Sequence, residues 1–288
     1  MTQFTQAVIN GLMLASVYAL VALGLTLVFG LLDIVNFAHG QMLLAGSYLV
    51  FALVDDGQSY WLALAIAVVA VAALGLVVDA TLFSRVRRSP ISGLLISIGL
   101  IAILTDVFHT IWGPNGQTFP TPVRKVFRLG DVTIGGNRML VVATAIAVML
   151  LLAGFLRFTR LGKALRATAE SPEAAVLMGI PVERIRNLSF AVGAALSGLA
   201  GGLLAAVFPV EPSGGEGVLI KGFIVLVLGG AGSPLGAVMA AVLLGIIESL
   251  GITYWSSAGA DLIAFTMLIV VLFLRPTGLV PVTRDVTL

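Results

Sequence analysis

Cysteine is absent from the 288 residues, which excludes a disulfide framework, thiol catalysis and a cysteine-ligated metal. Histidine is almost absent as well. His39 and His109 are the only two, too few for a histidine-rich metal site, so no metal or other cofactor is expected. No G-x-x-x-x-G-K-[ST] occurs; LGKAL at Leu161–Leu165 has the Gly-Lys pair without the upstream glycine or the hydroxyl, so the chain is not its own P-loop ATPase. G-x-S-x-G and H-E-x-x-H are missing too, and with them two common hydrolytic devices. Charge is the largest deficit: 10% of residues are Asp, Glu, Lys or Arg, against roughly 25% in soluble domains. The net charge of +2 and pI near 9.2 reflect basic loops, and no nucleic-acid partner is expected.

What remains is apolar. Hydrophobic residues make up 59% of the chain and the mean hydropathy is +1.11. The apolar runs are continuous over about 17 to 25 residues and do not alternate, so they predict helices and not a barrel. The reading is a single, all-α polytopic membrane domain over residues 1–288, with eight or nine spans, some of them broken. The spans are expected at Gln6–Leu32, Phe37–Val54, Trp61–Ser84, Ile91–Trp112, Arg138–Leu156, Pro181–Phe208, Val218–Leu228, Pro234–Gly251 and Asp261–Leu274. The seventh is short enough to be a half-helix. The first lacks a basic leader and a small-residue cleavage site and reads as a retained span. Orientation follows from the basic residues near span ends. Arg85, Arg87, Arg88, the six in Arg157–Arg186, Arg275 and Arg284 lie on the cytoplasmic side, against Arg124, Lys125, Arg128, Arg138 and Lys221 outside. The loop 113–137 is then external and the segment 157–186 cytoplasmic.

That cytoplasmic segment carries its own helical punctuation. Leu161–Glu170 is rich in helix formers. Ser171 stands where an N-cap belongs, Pro172 at the first helical position and Glu173 in the first turn. Gly179 takes the place of a left-handed C-cap, and Pro181 opens the next helix. Ala174, Leu177 and Met178 share one face, an apolar knob flanked by charge. Arg166 and Glu170, four apart, either pair with each other or reach a partner.

Two breaks interrupt the spans. GLLDIVNFAHG at Gly30–Gly40 holds Asp33, Asn36 and His39, and GGAGSPLG fills Gly229–Gly236. Such interruptions point to a transport path, because freed backbone groups must line something polar; the alternative is a pair of tight turns. Asn36, His39, Gly229 and Gly230 are the candidate lining. The small-xxx-small steps Gly198/Gly202, Ser197/Gly201 and Gly232/Gly236 predict close helix packing. Asp106 and His109 can touch on the fourth span, Lys221 and Glu216 are placed to pair, and Glu248 and Asp261 read as span-end residues.

Four stretches resemble the permease subunits of branched-chain amino-acid ABC importers. They are YALVALGLTLVFGLLDIVNFAHGQMLLAGSYL at Tyr18–Leu49, RLGKALRATAESPEAAVLMGI at Arg160–Ile180, VLVLGGAGSPLGAVMAAVLLGIIES at Val225–Ser249 and RPTGL at Arg275–Leu279. Glu173-Ala174-Ala175-x-x-x-Gly179 is similar to the E-A-A-x-x-x-G core of importer permeases generally. Ten residues on, Ser189 stands where the broader motif has an apolar residue followed by Leu-Pro, a departure from the maltose-type pattern. The resemblance implies a pore built with a second, identical or homologous, permease subunit, two ATP-binding-cassette ATPases and an extracytoplasmic binding protein, in a bacterial or archaeal cytoplasmic membrane. It makes Ser171–Gly179 the coupling helix, with Arg166, Glu170, Ser171, Glu173, Ala174, Leu177, Met178, Gly179 and Ile180 as the ATPase-facing set. The chain itself is then a transport subunit and not an enzyme. The family also carries urea and short amides, so the solute stays open. The competing reading is an ion-coupled secondary transporter that uses Asp106, His109 or Lys221 as its relay.

Overall fold

The computed structural model describes residues 2–32, 36–86, 89–120, 122–123, 125–129 and 132–280. Asp33 of the first break, and Arg87, Arg88, Arg124 and Arg284 of the charge bias, lie outside the described residues. The chain runs through α1 (Thr2–Leu32), α2 (His39–Asp55), α3 (Tyr60–Val78), a π-helical turn (Asp79–Phe83), α4 (Ser84–Val86) and α5 (Pro90–Trp112). A hairpin of β1 (Val126–Leu129) and β2 (Val132–Gly135) follows, then α6 (Gly136–Phe158), α7 (Arg160–Glu170), α8 (Pro172–Leu177), α9 (Val182–Ala205), α10 (Gly214–Gly229), α11 (Pro234–Tyr254) and α12 (Ser257–Leu274).

Seven of these, counting α3 with its extension to Val86, are long and apolar enough to cross a membrane. α2 and α10 have 17 and 16 residues, about 24–26 Å at 1.5 Å per residue, short of a 30 Å hydrocarbon core. The seventh expected span is thus a full helix that starts earlier, at Gly214, and still falls short of spanning length. The loop 113–137 also holds a small antiparallel hairpin, pairing Val126 with Gly135 and Leu129 with Val132. Its β-branched and aromatic residues favour the pleat; the surrounding apolar helices hide so short a signal.

Burial sorts centre from rim. In its most apolar window α1 is 83% buried and α9 72%, whereas α5 and α12 are each 17% buried and present their flanks outward. Small residues make the centre possible. On α9, Gly198 faces Val71 of α3, Gly201 lies on the Leu43 carbonyl of α2, and Gly202 packs on Leu64 and Val50. Gly11 of α1 meets Gly245 and Ile246 of α11 in the same way. Hydroxyls tie the crossings to backbone: Ser189 Oγ donates to Leu27 O at 2.7 Å, Ser197 Oγ to His39 O at 2.8 Å, Ser249 Oγ to Ala7 O at 2.7 Å, and Tyr60 Oη to Gly202 O at 3.0 Å.

The hairpin end of the bundle is fastened separately. Asn137 accepts from Val123 N at 2.9 Å and donates to Ala206 O at 3.0 Å. Arg138 reaches the Asn10 side chain on α1, and Gln117 and Val210 exchange backbone bonds of 2.9 and 2.8 Å. α7 and α8 hang at the opposite end of α6. Thr118 and Lys163, both exposed, therefore sit at opposite ends of the bundle. Thr118→Cys is expected to react with an impermeant thiol reagent on intact cells, and Lys163→Cys to be spared until the cells are opened. The native chain, free of cysteine, gives no background.

Candidate functional site

The segment between α6 and α9 folds as its punctuation predicts. Thr159 caps α7 by accepting from Gly162 N at 2.9 Å, and Ser171 caps α8 by accepting from Ala174 N at 3.2 Å. α8 ends on Gly179 at φ +76°, with Gly179 N bonded to Val176 O at 2.9 Å and Ile180 N to Ala175 O at 3.0 Å. That pair of bonds is a Schellman closure, and its left-handed residue is backbone that favours glycine. The closure turns the chain back into α9 and leaves the apolar end of α8 outside.

α7 lies against the bundle and α8 stands off it. Leu165, Thr168 and Gly162 of α7 are buried, and a side chain at Gly162 would strike the Phe155 carbonyl. Of α8 only Ala175 is buried, whereas Leu177 is 87% and Met178 81% exposed. Ala174, Glu173, Arg166 and Glu170 are exposed as well. Arg166 and Glu170 form no ion pair with each other among the described residues. Beside the knob runs a groove of about 550 Å³ lined by Pro172, Glu173, Val176, Ile180, Arg184 and Arg186, among others. Arg186 is held there by Glu183 at 3.1 Å. Chemically the stub offers apolar tips on a rigid, capped end, with charged side chains around them.

The two breaks come together. The Cβ position of Gly30, near the end of α1, is 3.8 Å from Gly232 Cα in the α10–α11 turn. Leu279 N and Val280 N donate to Leu228 O at 2.9 Å and Gly229 O at 3.1 Å, so the RPTGL tail closes the same place. The second break is a tight turn: Gly230 (φ +101°) and Gly232 (φ +93°) supply left-handed backbone, and Ser233 Oγ caps α11 by accepting from Gly236 N at 3.1 Å. The first break is different. His39, the first residue of α2, packs its ring on Gly24 of α1, about two turns back from Leu32 at 3.6 residues per turn. The chain has thus returned into the bundle before α2 begins. Asn36 and His39 are 2% and 1% exposed. Asn36 Oδ1 accepts from Ala38 N at 3.0 Å, and its Nδ2 is buried without a hydrogen bond. Gly229 and Gly230 are buried too, Gly229 against the Gly236 backbone and Gly230 against Val280.

One constellation escapes the sequence. Lys221 of α10 bonds Glu248 Oε1 of α11 at 3.2 Å and Asp261 Oδ1 of α12 at 2.5 Å. The expected Lys221–Glu216 pair is therefore not the one formed, and Glu248, within two turns of the end of α11, is buried at 7% relative exposure. Hydropathy marks each of the three as an interruption on its own; only the crossing of three helices reveals them as partners.

A helical bundle with broken, glycine-packed spans, a charged cluster inside it and an apolar stub at one end defines a membrane permease. Residues 7–272 match the family described as the permease component of branched-chain amino acid transport systems, and the chain belongs to it. It is 33% identical over 295 residues to the high-affinity branched-chain amino acid transport system permease protein LivH of Escherichia coli, covering 96% of this chain and 95% of that one. It is 30% identical to a probable LivH of the archaeon Methanocaldococcus jannaschii, over 92% and 89% of the two chains. LivM of Escherichia coli is 27% identical, over 94% of this chain and 69% of its own length. In fold, the chain is similar to a solved chain of PsaBC from Streptococcus pneumoniae in complex with Fab, with a TM-score of 0.54 at 15% identity over 96% and 93% of the chains. The ion-coupled reading finds no support. Its relatives are permease components, no hydrogen bond joins Asp106 to His109 among the described residues, and Lys221 is held by two carboxylates.

Proposed function

We propose that this subunit works with a second, homologous permease, two ATP-binding-cassette ATPases and an extracytoplasmic binding protein to import branched-chain amino acids across a bacterial or archaeal cytoplasmic membrane. The observation that carries the coupling half of this reading is the exposed, doubly capped end of α8. Leu177 and Met178 fit the groove of a partner that moves, because an apolar anchor on a rigid stub transmits displacement without bending. Arg166, Glu170, Glu173, Ala174 and Ile180 supply the rim, and Ser171 and Gly179 fix the shape. ATP hydrolysis belongs to the partner. Gly229 and Gly230 shape the path by holding backbone where the two breaks meet, and Asn36 and His39 by holding the start of α2 against α1; each is buried within the subunit. The test is co-purification with the candidate ATPases, followed by ATP-dependent uptake of leucine in vesicles with the binding protein supplied.

A permease must release what it accepts, so it gains nothing from a deep well. The permease–ATPase complex without binding protein is expected to bind leucine, isoleucine or valine more weakly than about 1 μM, roughly −8 kcal/mol. Calorimetry on the purified complex checks this; submicromolar affinity would move selectivity into the permease.

A further inference from the structure

We propose that Lys221, Glu248 and Asp261 form a transit site for the zwitterionic head of an α-amino acid, at the hairpin end of the bundle. The inference rests on the transport reading above and adds the residues that meet the solute. Charged groups inside a membrane helix bundle are costly, and those that persist mark solute or ion pathways. A crossing that only needed fastening is served as well by apolar residues of similar volume. Here three charges converge from α10, α11 and α12, one positive and two negative, with Lys221 and Glu248 each at 7% exposure. The Tyr18 hydroxyl of α1 faces the same carboxylate. Glu248 Oε1 takes Lys221, while the buried Oε2 makes no hydrogen bond of ordinary geometry and has only the Tyr18 hydroxyl beside its carboxylate. Asp261 is the replaceable member, because its side chain is 55% exposed.

An α-amino acid matches this inventory at both ends. Its ammonium supplies the donor that Glu248 Oε2 lacks. Its carboxylate takes the place of Asp261 on Lys221, and Asp261 turns to water, where losing an exposed ion pair costs little. Each contact is exchanged for one of the same kind, so the solute is held weakly and let go. Neither a neutral amide nor a simple anion satisfies both Lys221 and Glu248. Glu248 Oε1 and Oε2 belong to one carboxylate, so the two subsites lie as close together as the two ends of one amino acid require.

The experiment uses the assembled permease–ATPase complex in nanodiscs without binding protein, with leucine observed by saturation-transfer NMR at millimolar concentration. Leucine is expected to give a signal that unlabelled isoleucine competes away, whereas N-acetyl-leucine, without the ammonium, and leucinamide, without the carboxylate, do not compete. Glu248→Gln is expected to weaken leucine binding at least tenfold. Asp261→Asn is expected to tighten it, because Lys221 is freed; a merely structural ion pair predicts the opposite or no change. Equal competition by N-acetyl-leucine, unchanged binding in Glu248→Gln, or weaker binding in Asp261→Asn overturns the site. If Glu248→Gln does not assemble, the half-exposed Asp261→Asn and the two blocked ligands decide the matter. Failure of the wild-type chain to co-purify with an ATPase overturns the transport reading itself; coupled leucine uptake with no leucine signal overturns only the transit site.

Discussion

Leu177→Asp combined with Met178→Asp is expected to abolish uptake and ATPase co-purification while leaving the permease folded. Both side chains are more than four-fifths exposed, so charging them disturbs no internal contact. In a docked complex each would carry an unpaired carboxylate into an apolar groove, and anchors of this kind cost about 2 kcal/mol or more when lost. Two such losses weaken docking on the order of a thousandfold, at tenfold for each 1.4 kcal/mol. Size-exclusion chromatography of the variant with and without its partner reads both halves of the expectation. A variant that still co-purifies and transports would remove α8 from the coupling pathway.

The other large effect is expected at Gly201. A β-carbon there would lie on the carbonyl oxygen of Leu43 and within 2.8 Å of Ser47 Oγ, where backbone cannot yield. Gly201→Val must push α9 off α2, the crossing at the centre of the bundle. Overpacking costs about 1–3 kcal/mol in a core that can adjust, and this one presents backbone, so the loss lies at the upper end or beyond. Gly99→Val, on the outward face of α5 where nothing lies within 4 Å, is the matched control. Thermal unfolding in detergent, followed by a fluorescence-detected sizing column, should show a marked drop for the first and almost none for the second.

The knob on α8 was legible because a cap, a proline, a carboxylate and a terminal glycine act within a few residues of one another. The apolar runs revealed nearly every span for the same reason, since burial in lipid needs only local composition. The hairpin was lost because four-residue strands carry too little pattern to stand out beside long helices. The re-entry of the chain before α2 was also lost, since only the seating of His39 on Gly24 fixes its depth. Most plainly, nothing local to Lys221 names Glu248 or Asp261 as its partners; sequence proximity favours Glu216, and only the helix crossing brings the two distant carboxylates to it.

The position of α9 has a consequence for how the subunit is made. α1, α2 and α3 all lean on its stripe of small residues, yet ribosomes release those three helices long before α9 exists. During that interval α2, only 17 residues long and starting below the surface, has no permanent seat. Domains whose key pairings are distant in sequence wait exposed to aggregation and proteolysis. Synthesis that halts before Val182 should therefore leave a fragment that the cell destroys quickly, and supplying the remainder as a separate chain should protect it.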